Sequence, residues 1–133
     1  MNWASYLGQP LKKYYLISAA LTVFIIALLY GVSPTWFAET FLNISNLDLN
    51  IAHILRAVMC LYIGLGLFWI IAAFNDHYRN TAILTTVIFA GGLVTGRIIS
   101  LFIDGQPAPL LLLYVVMELS LVPVGLWVLN RPD

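Results

Sequence analysis

Arg97, Glu118 and Arg56 are the residues with the most chemistry to offer, because each lies in a stretch that is otherwise apolar. Arg97 falls within residues 81–103, Glu118 within 109–129, and Arg56 opens the run 54–74. A charge at bilayer depth costs about 2.5 to 3.5 kcal/mol on insertion scales, so it normally faces a partner or a wet cavity and marks a functional site. Helical spacing gathers further groups around these three. Ser100 and Asp104 stand at i+3 and i+7 from Arg97, and Tyr114 stands four residues before Glu118. His53, Arg56 and Cys60 share one face of their own span. At about 1.5 Å per residue, Arg97 lies roughly 9 Å below the end of its span and Glu118 roughly 13 Å below the start of the next. An ion pair between them is expected, since either charge left alone in lipid is far more costly. Two arginines against one deep glutamate then leave a positive surplus, which suits a carboxylate, a phosphate or a lipid headgroup.

The elements that must position these groups follow from composition. The chain has 133 residues, of which 62% are hydrophobic and 9% charged, with a mean hydropathy of +0.94. Such a chain is too apolar for a soluble domain of this size, and its apolar runs are long enough to cross a hydrocarbon core. Four spans are expected at about 14–32, 54–74, 81–103 and 109–129, making residues 1–133 a single all-α domain, a four-transmembrane-helix bundle. The first apolar run is longer than a signal-peptide core and no A-x-A site follows it, so it reads as an uncleaved span. Ser33 and Pro34 give a helix start with proline at the first helical position, and Trp36, Phe37, Thr40 and Phe41 recur on one side. That predicts a short amphipathic helix in the interface between spans one and two. Residues 43–50 form a polar connector that includes the sequon Asn43-Ile44-Ser45. Residues 104–109 form a compact turn, so spans three and four are antiparallel neighbours.

Charge placement orients the bundle. Lys12 and Lys13 precede the first span, Arg79 lies in the short connection between spans two and three, and Arg131 follows span four. This excess on one side predicts cytoplasmic termini. The outer half carries the polar cluster of His53, Arg56, Arg97, Ser100, Asp104, Tyr114 and Glu118, while the inner half is apolar apart from small residues, the pattern of a pocket open outward rather than a channel. Gly92, Gly96 and Ser100 form a small-x3-small ladder, and Gly64 with Gly66 thins span two; in lipid such stripes let helix backbones approach. Pro123 is expected to kink span four. Asp104 is expected to cap its turn with its own backbone.

Several function classes are disfavoured. The net charge of zero implies no nucleic acid or other polyanionic partner, and the lone Cys60 permits neither an internal disulfide nor a cysteine metal cluster. There is no nucleophile with an adjacent base, no metal-ligand set and no phosphate loop, so neither catalytic residues nor a cofactor are assigned.

From about residue 50 onward the chain resembles a known family. The carrying residues are H-x2-R-A-x-x-x-L-Y-x-G-L from His53 to Leu65, then G-G-L-x-x-G-R-x-x-S-x-x-x-D-G-x-P from Gly91 to Pro107, then Glu118 in the last span. They are similar to a bacterial family of small four-span membrane proteins catalogued as a domain of unknown function. Cys60 stands where that family's pattern usually has glycine. The resemblance implies a bacterial inner-membrane protein of this topology and brings no activity with it. Three readings follow: a structural or accessory subunit docking a larger membrane-protein complex; a binding protein for a small anionic amphiphile, lipid or quinone held by Arg56 and Arg97; and, least favoured, a membrane enzyme using Glu118 or His53. Beyond these, the expected surroundings are membrane lipid.

Overall fold

Long apolar runs produce long helices here, but their polar flanks extend them further than hydropathy alone predicts. A computed structural model describes residues 3–131, with side chains from Pro10 onward. It contains five helices: α1 (Trp3–Gly31), α2 (Pro34–Phe41), α3 (Leu49–Ala73), α4 (Asp76–Ile103) and α5 (Pro109–Leu129). Four of them are long and apolar enough to cross a membrane, the crossing part of α1 being Pro10–Gly31. The protein is therefore an all-α, multi-pass membrane bundle with a short additional helix.

The helix starts are set by local polar chemistry. Ser33 Oγ accepts from the Trp36 N–H at 3.3 Å and Pro34 occupies the first helical position of α2. Asp48 caps α3 through the Asn50 N–H at 3.2 Å, so α3 begins at Leu49, five residues ahead of the expected span boundary at 54. Asn75 caps α4 through the His77 N–H at 3.0 Å, so α4 begins at Asp76 rather than near 81. At α3 and α4 an Asx side chain starts the helix in a polar segment that hydropathy assigns to the loop. Replacing Ser33 with alanine is expected to loosen α2 by about 1 kcal/mol, seen as faster amide exchange at Trp36 with the four long helices unchanged.

Of two expectations for the connections, one holds and one changes. The Asp104 backbone closes the turn: the N–H groups of Asp104 and Gly105 both donate to the Ser100 carbonyl, at 2.7 and 3.2 Å. Gly105 has φ +96°, a conformation that favours glycine. The apolar side of α2 also divides. Phe37 is buried edge-on against Tyr30, whereas Trp36 is half exposed and meets Phe41, and Thr40 is exposed.

The closest helix contacts are α1 with α3 and α4 with α5, each pair antiparallel. Small residues on α1, including Ala19, Ala20 and Ala27, are buried along its length. Gly66 of α3 receives the Phe24 ring and Gly31 of α1 receives Met59. Between the two pairs, aromatic rings fill the gap: Tyr30, Tyr62 and Tyr114 meet edge-on, and Phe89 bridges Tyr62 and Trp69. Where helices cross, two aromatic side chains also engage their polar tips within the bundle. Tyr15 Oη lies 2.7 Å from Thr86 Oγ1, and Trp69 Nε1 donates to Thr85 Oγ1 at 3.0 Å. Leu21, Ile25, Ile71, Ile88 and Phe102 face outward, as suits a lipid-facing surface.

The basic residues at the end holding both termini are more enclosed than loop residues would be. Lys12 lies inside α1, 1% exposed, with its Nζ donating to Asn80 Oδ1 at 2.9 Å. Arg79 lies in the first turn of α4, donating to the Ala73 carbonyl at 3.2 Å and pairing with Asp76 at 2.7 Å. Both were expected in flanking segments; the longer helices draw them in.

Candidate functional site: an arginine–glutamate pair beside an open cleft

Arg97 and Glu118 project from α4 and α5 into the space between the helix pairs. The five-residue link 104–108 keeps the two helices adjacent, and the offset in depth is covered by the arginine side chain. Arg97 Nε donates to both Glu118 oxygens, at 2.9 Å to Oε2 and 3.2 Å to Oε1. Its Nη2 donates to Tyr30 Oη at 3.4 Å, and the guanidinium lies 5.7 Å from the centre of the Tyr114 ring. The side chains are 21% and 10% exposed, so the pair is largely withdrawn from the surface. Tyr114 is buried, and its hydroxyl has no partner among the described residues. A carboxylate, a guanidinium and three tyrosines thus converge where α1, α3, α4 and α5 meet near the α2 end.

Other candidates fall elsewhere. His53, Arg56 and Cys60 are all exposed on α3, and among the described residues Arg56 makes no ion pair. None of the three makes a contact with Arg97 or Glu118. The expected convergence of two arginines therefore does not occur, since nothing in the nearly uniform apolar run of α3 fixes which side turns inward. Conversely, Tyr30 and Tyr62 belong to the Arg97 surroundings without having been singled out in the sequence. The available signal was a tyrosine one residue before the end of α1, at about the depth of Arg97, but its rotation toward α4 is a tertiary fact.

A cleft of about 670 Å³ opens beside the pair, between α4 and α5, and is lined by Gly92, Gly96, Arg97, Ser100, Asp104 and Leu111 among others. Ser100 and Asp104 are exposed along it. The cleft and the adjoining pair therefore contain one cation and two carboxylates, which removes the positive surplus expected from the sequence. The glycine ladder is also differently placed. A Cβ added at Gly92 or Gly96 would meet nothing within 4 Å, as would one at Gly64, so these glycines do not mediate packing inside this bundle. The glycines that do are Gly31, Gly66 and Gly125. The arrangement can hold charge and bring a polar rim and a smooth backbone floor to a neighbour, and its acid is tied up in an ion pair.

No curated protein and no solved structure matches the chain. One family does, over residues 11–129, an extent that includes α1 as well as the segment from residue 50 onward on which the resemblance rested. With nearly the whole bundle matched, the chain belongs to the family described as Domain of unknown function (DUF4345).

Proposed function

We propose that the protein is a small accessory subunit of a membrane-protein assembly, and that its α4 receives a transmembrane helix of a partner chain. The observation that carries this reading is the open glycine stripe. Gly31, Gly66 and Gly125 each meet a neighbouring side chain, whereas Gly92 and Gly96 sit exposed on the floor of a cleft of about 670 Å³. Without a hydrophobic driving force between helices in lipid, association depends on close backbone approach, and small-x3-small stripes provide it. Ser100 and Asp104 at the rim add hydrogen-bonding groups for register. The alternative, an outward-facing pocket for a small anionic amphiphile, lipid or quinone, required Arg56 and Arg97 to act together, whereas Arg56 is exposed on α3 and Arg97 is paired with Glu118. In this reading the membrane is the bacterial cytoplasmic membrane. The termini lie on its cytoplasmic side, because Lys12, Lys13, Arg79 and Arg131 gather at that end.

Gentle extraction from the native membrane followed by native mass spectrometry tests the proposal. Wild type should carry a second protein chain. Gly96→Leu, still helical and folded, should bind it at least about fivefold more weakly, as expected from about 1–3 kcal/mol of overpacking at the contact. A wild-type protein that emerges alone, or a complex indifferent to leucine at both 92 and 96, would count against the assignment.

A further inference from the structure

A second surface feature lies on the opposite side of the bundle from the proposed docking stripe and calls for a different occupant. Between α1 and α5 runs a groove of about 470 Å³ whose walls include Ser18, Thr22, Ser120, Val124 and Trp127. A further hollow of about 370 Å³ shares Leu11, Tyr14 and Trp127 with it and ends at Arg131. Together they form one continuous channel along the surface, from the end holding the termini to the middle of the bundle.

Three properties define what fits. The first is length. Along α1 the channel spans Pro10 to Thr22, about 18 Å at the helical rise, against about 15 Å for half of a hydrocarbon core. It therefore covers one leaflet and stops, whereas a crossing helix requires a surface over both. The second is polarity. Two of the hydroxyls in the wall are satisfied by their own helices: Thr22 donates to the Ser18 carbonyl at 2.8 Å, and Ser120 to the carbonyls of Val116 and Met117 at 3.0 and 2.9 Å. The Tyr15 hydroxyl is engaged with Thr86. The wall thus asks for few hydrogen bonds in return, and the rest of its lining is largely apolar, which suits hydrocarbon. The third is charge. Arg131 is exposed at the mouth, held with its guanidinium 4.2 Å from the centre of the Trp127 ring, and makes no ion pair among the described residues. Tyr14 and Trp127 are 64% and 50% exposed beside it, the aromatic residues expected at headgroup level.

We propose that this channel binds one anionic phospholipid of the leaflet at the terminal end, with an acyl chain between α1 and α5 and the phosphate at Arg131. The occupant is a lipid rather than a protein because the channel ends at mid-membrane and places its cation at the interface. The lipid fills the seam between α1 and α5, and so acts as a structural component of the bundle.

Delipidated full-length protein, exchanged into mixed micelles with phosphatidylglycerol or phosphatidylcholine, should retain one phosphatidylglycerol in native mass spectra. The preference over phosphatidylcholine should be about fivefold, the factor expected from one cationic side chain at the headgroup. Arg131→Gln should remove that preference while leaving the fold intact, and Ser120→Phe, which fills the channel, should lower retention of both lipids. A photoreactive residue at Val124 in otherwise wild-type protein supplies a readout that does not depend on either variant folding. A lipid adduct there supports the proposal. A cross-link to a second copy or to another protein overturns it, as does an unchanged preference in Arg131→Gln or equal retention of the two lipids by wild type.

Discussion

Replacing Glu118 with leucine is expected to destabilise the bundle by about 3 kcal/mol or more, the largest effect of any single substitution at the site. The change removes the acceptor that Arg97 reaches through Nε at 2.9 and 3.2 Å, and leaves a guanidinium at membrane depth with only the Tyr30 hydroxyl at 3.4 Å. Arginine cannot shed its charge, so the cost is that of an unpaired ion. Arg97→Leu should cost less, because the carboxyl group left behind can take a proton and become neutral. The double variant Arg97→Leu, Glu118→Leu should return to within about 1 kcal/mol of wild type, since a buried pair and a well-packed apolar substitute are often near parity. Unfolding in bicelles, arranged as a double-mutant cycle, measures all three values and isolates the coupling. A Glu118→Leu protein as stable as wild type would show that Arg97 finds water through the adjacent cleft, and that the pair does not hold the helices together.

The second large effect concerns glycines, and here the sign differs between positions that look alike in the sequence. A Cβ at Gly125 would lie 2.5 Å from Tyr15 Oη and 2.7 Å from Val87 Cγ2. Gly125→Ala must therefore displace the Tyr15 and Val87 side chains and disturb the Tyr15 to Thr86 hydrogen bond. The expected loss is about 1 to 3 kcal/mol. Gly66→Ala should behave similarly, because its Cβ would meet the Phe24 ring at 2.5 Å. Gly92→Ala and Gly96→Ala should instead stabilise the isolated protein by about 0.5 to 1 kcal/mol, the helix-propensity gain of alanine over glycine where nothing is in the way. Thermal unfolding of the four alanine variants decides the matter. A loss at Gly92 or Gly96 as large as at Gly125 would mean that the stripe already packs against something in the purified protein. Combined with the Gly96→Leu binding test, the alanine series separates a glycine that serves this bundle from one that serves a neighbour.

The sequence by itself determined the class of molecule and the ends of several elements. Uninterrupted apolar runs longer than the hydrocarbon core need four crossing helices, because every backbone polar group in lipid must be satisfied within its own segment. Ser33 with Pro34, and the Asp104-Gly105 turn, have local chemistry that requires no knowledge of the rest of the fold. The shortness of that turn makes α4 and α5 neighbours, which sets Arg97 and Glu118 at similar depth before any packing is known. What only the tertiary structure decided is rotation. It turns Arg56 and His53 outward, brings Tyr30 and Tyr62 toward Arg97, encloses Lys12, and chooses Gly31, Gly66 and Gly125 over Gly92 and Gly96 as contact points. In water, the inward face of a helix declares itself as an apolar stripe. In lipid, both faces are apolar, so the pattern of side chains loses that information. The inward face is then set by steric fit between helices and by the few polar groups that must find one another.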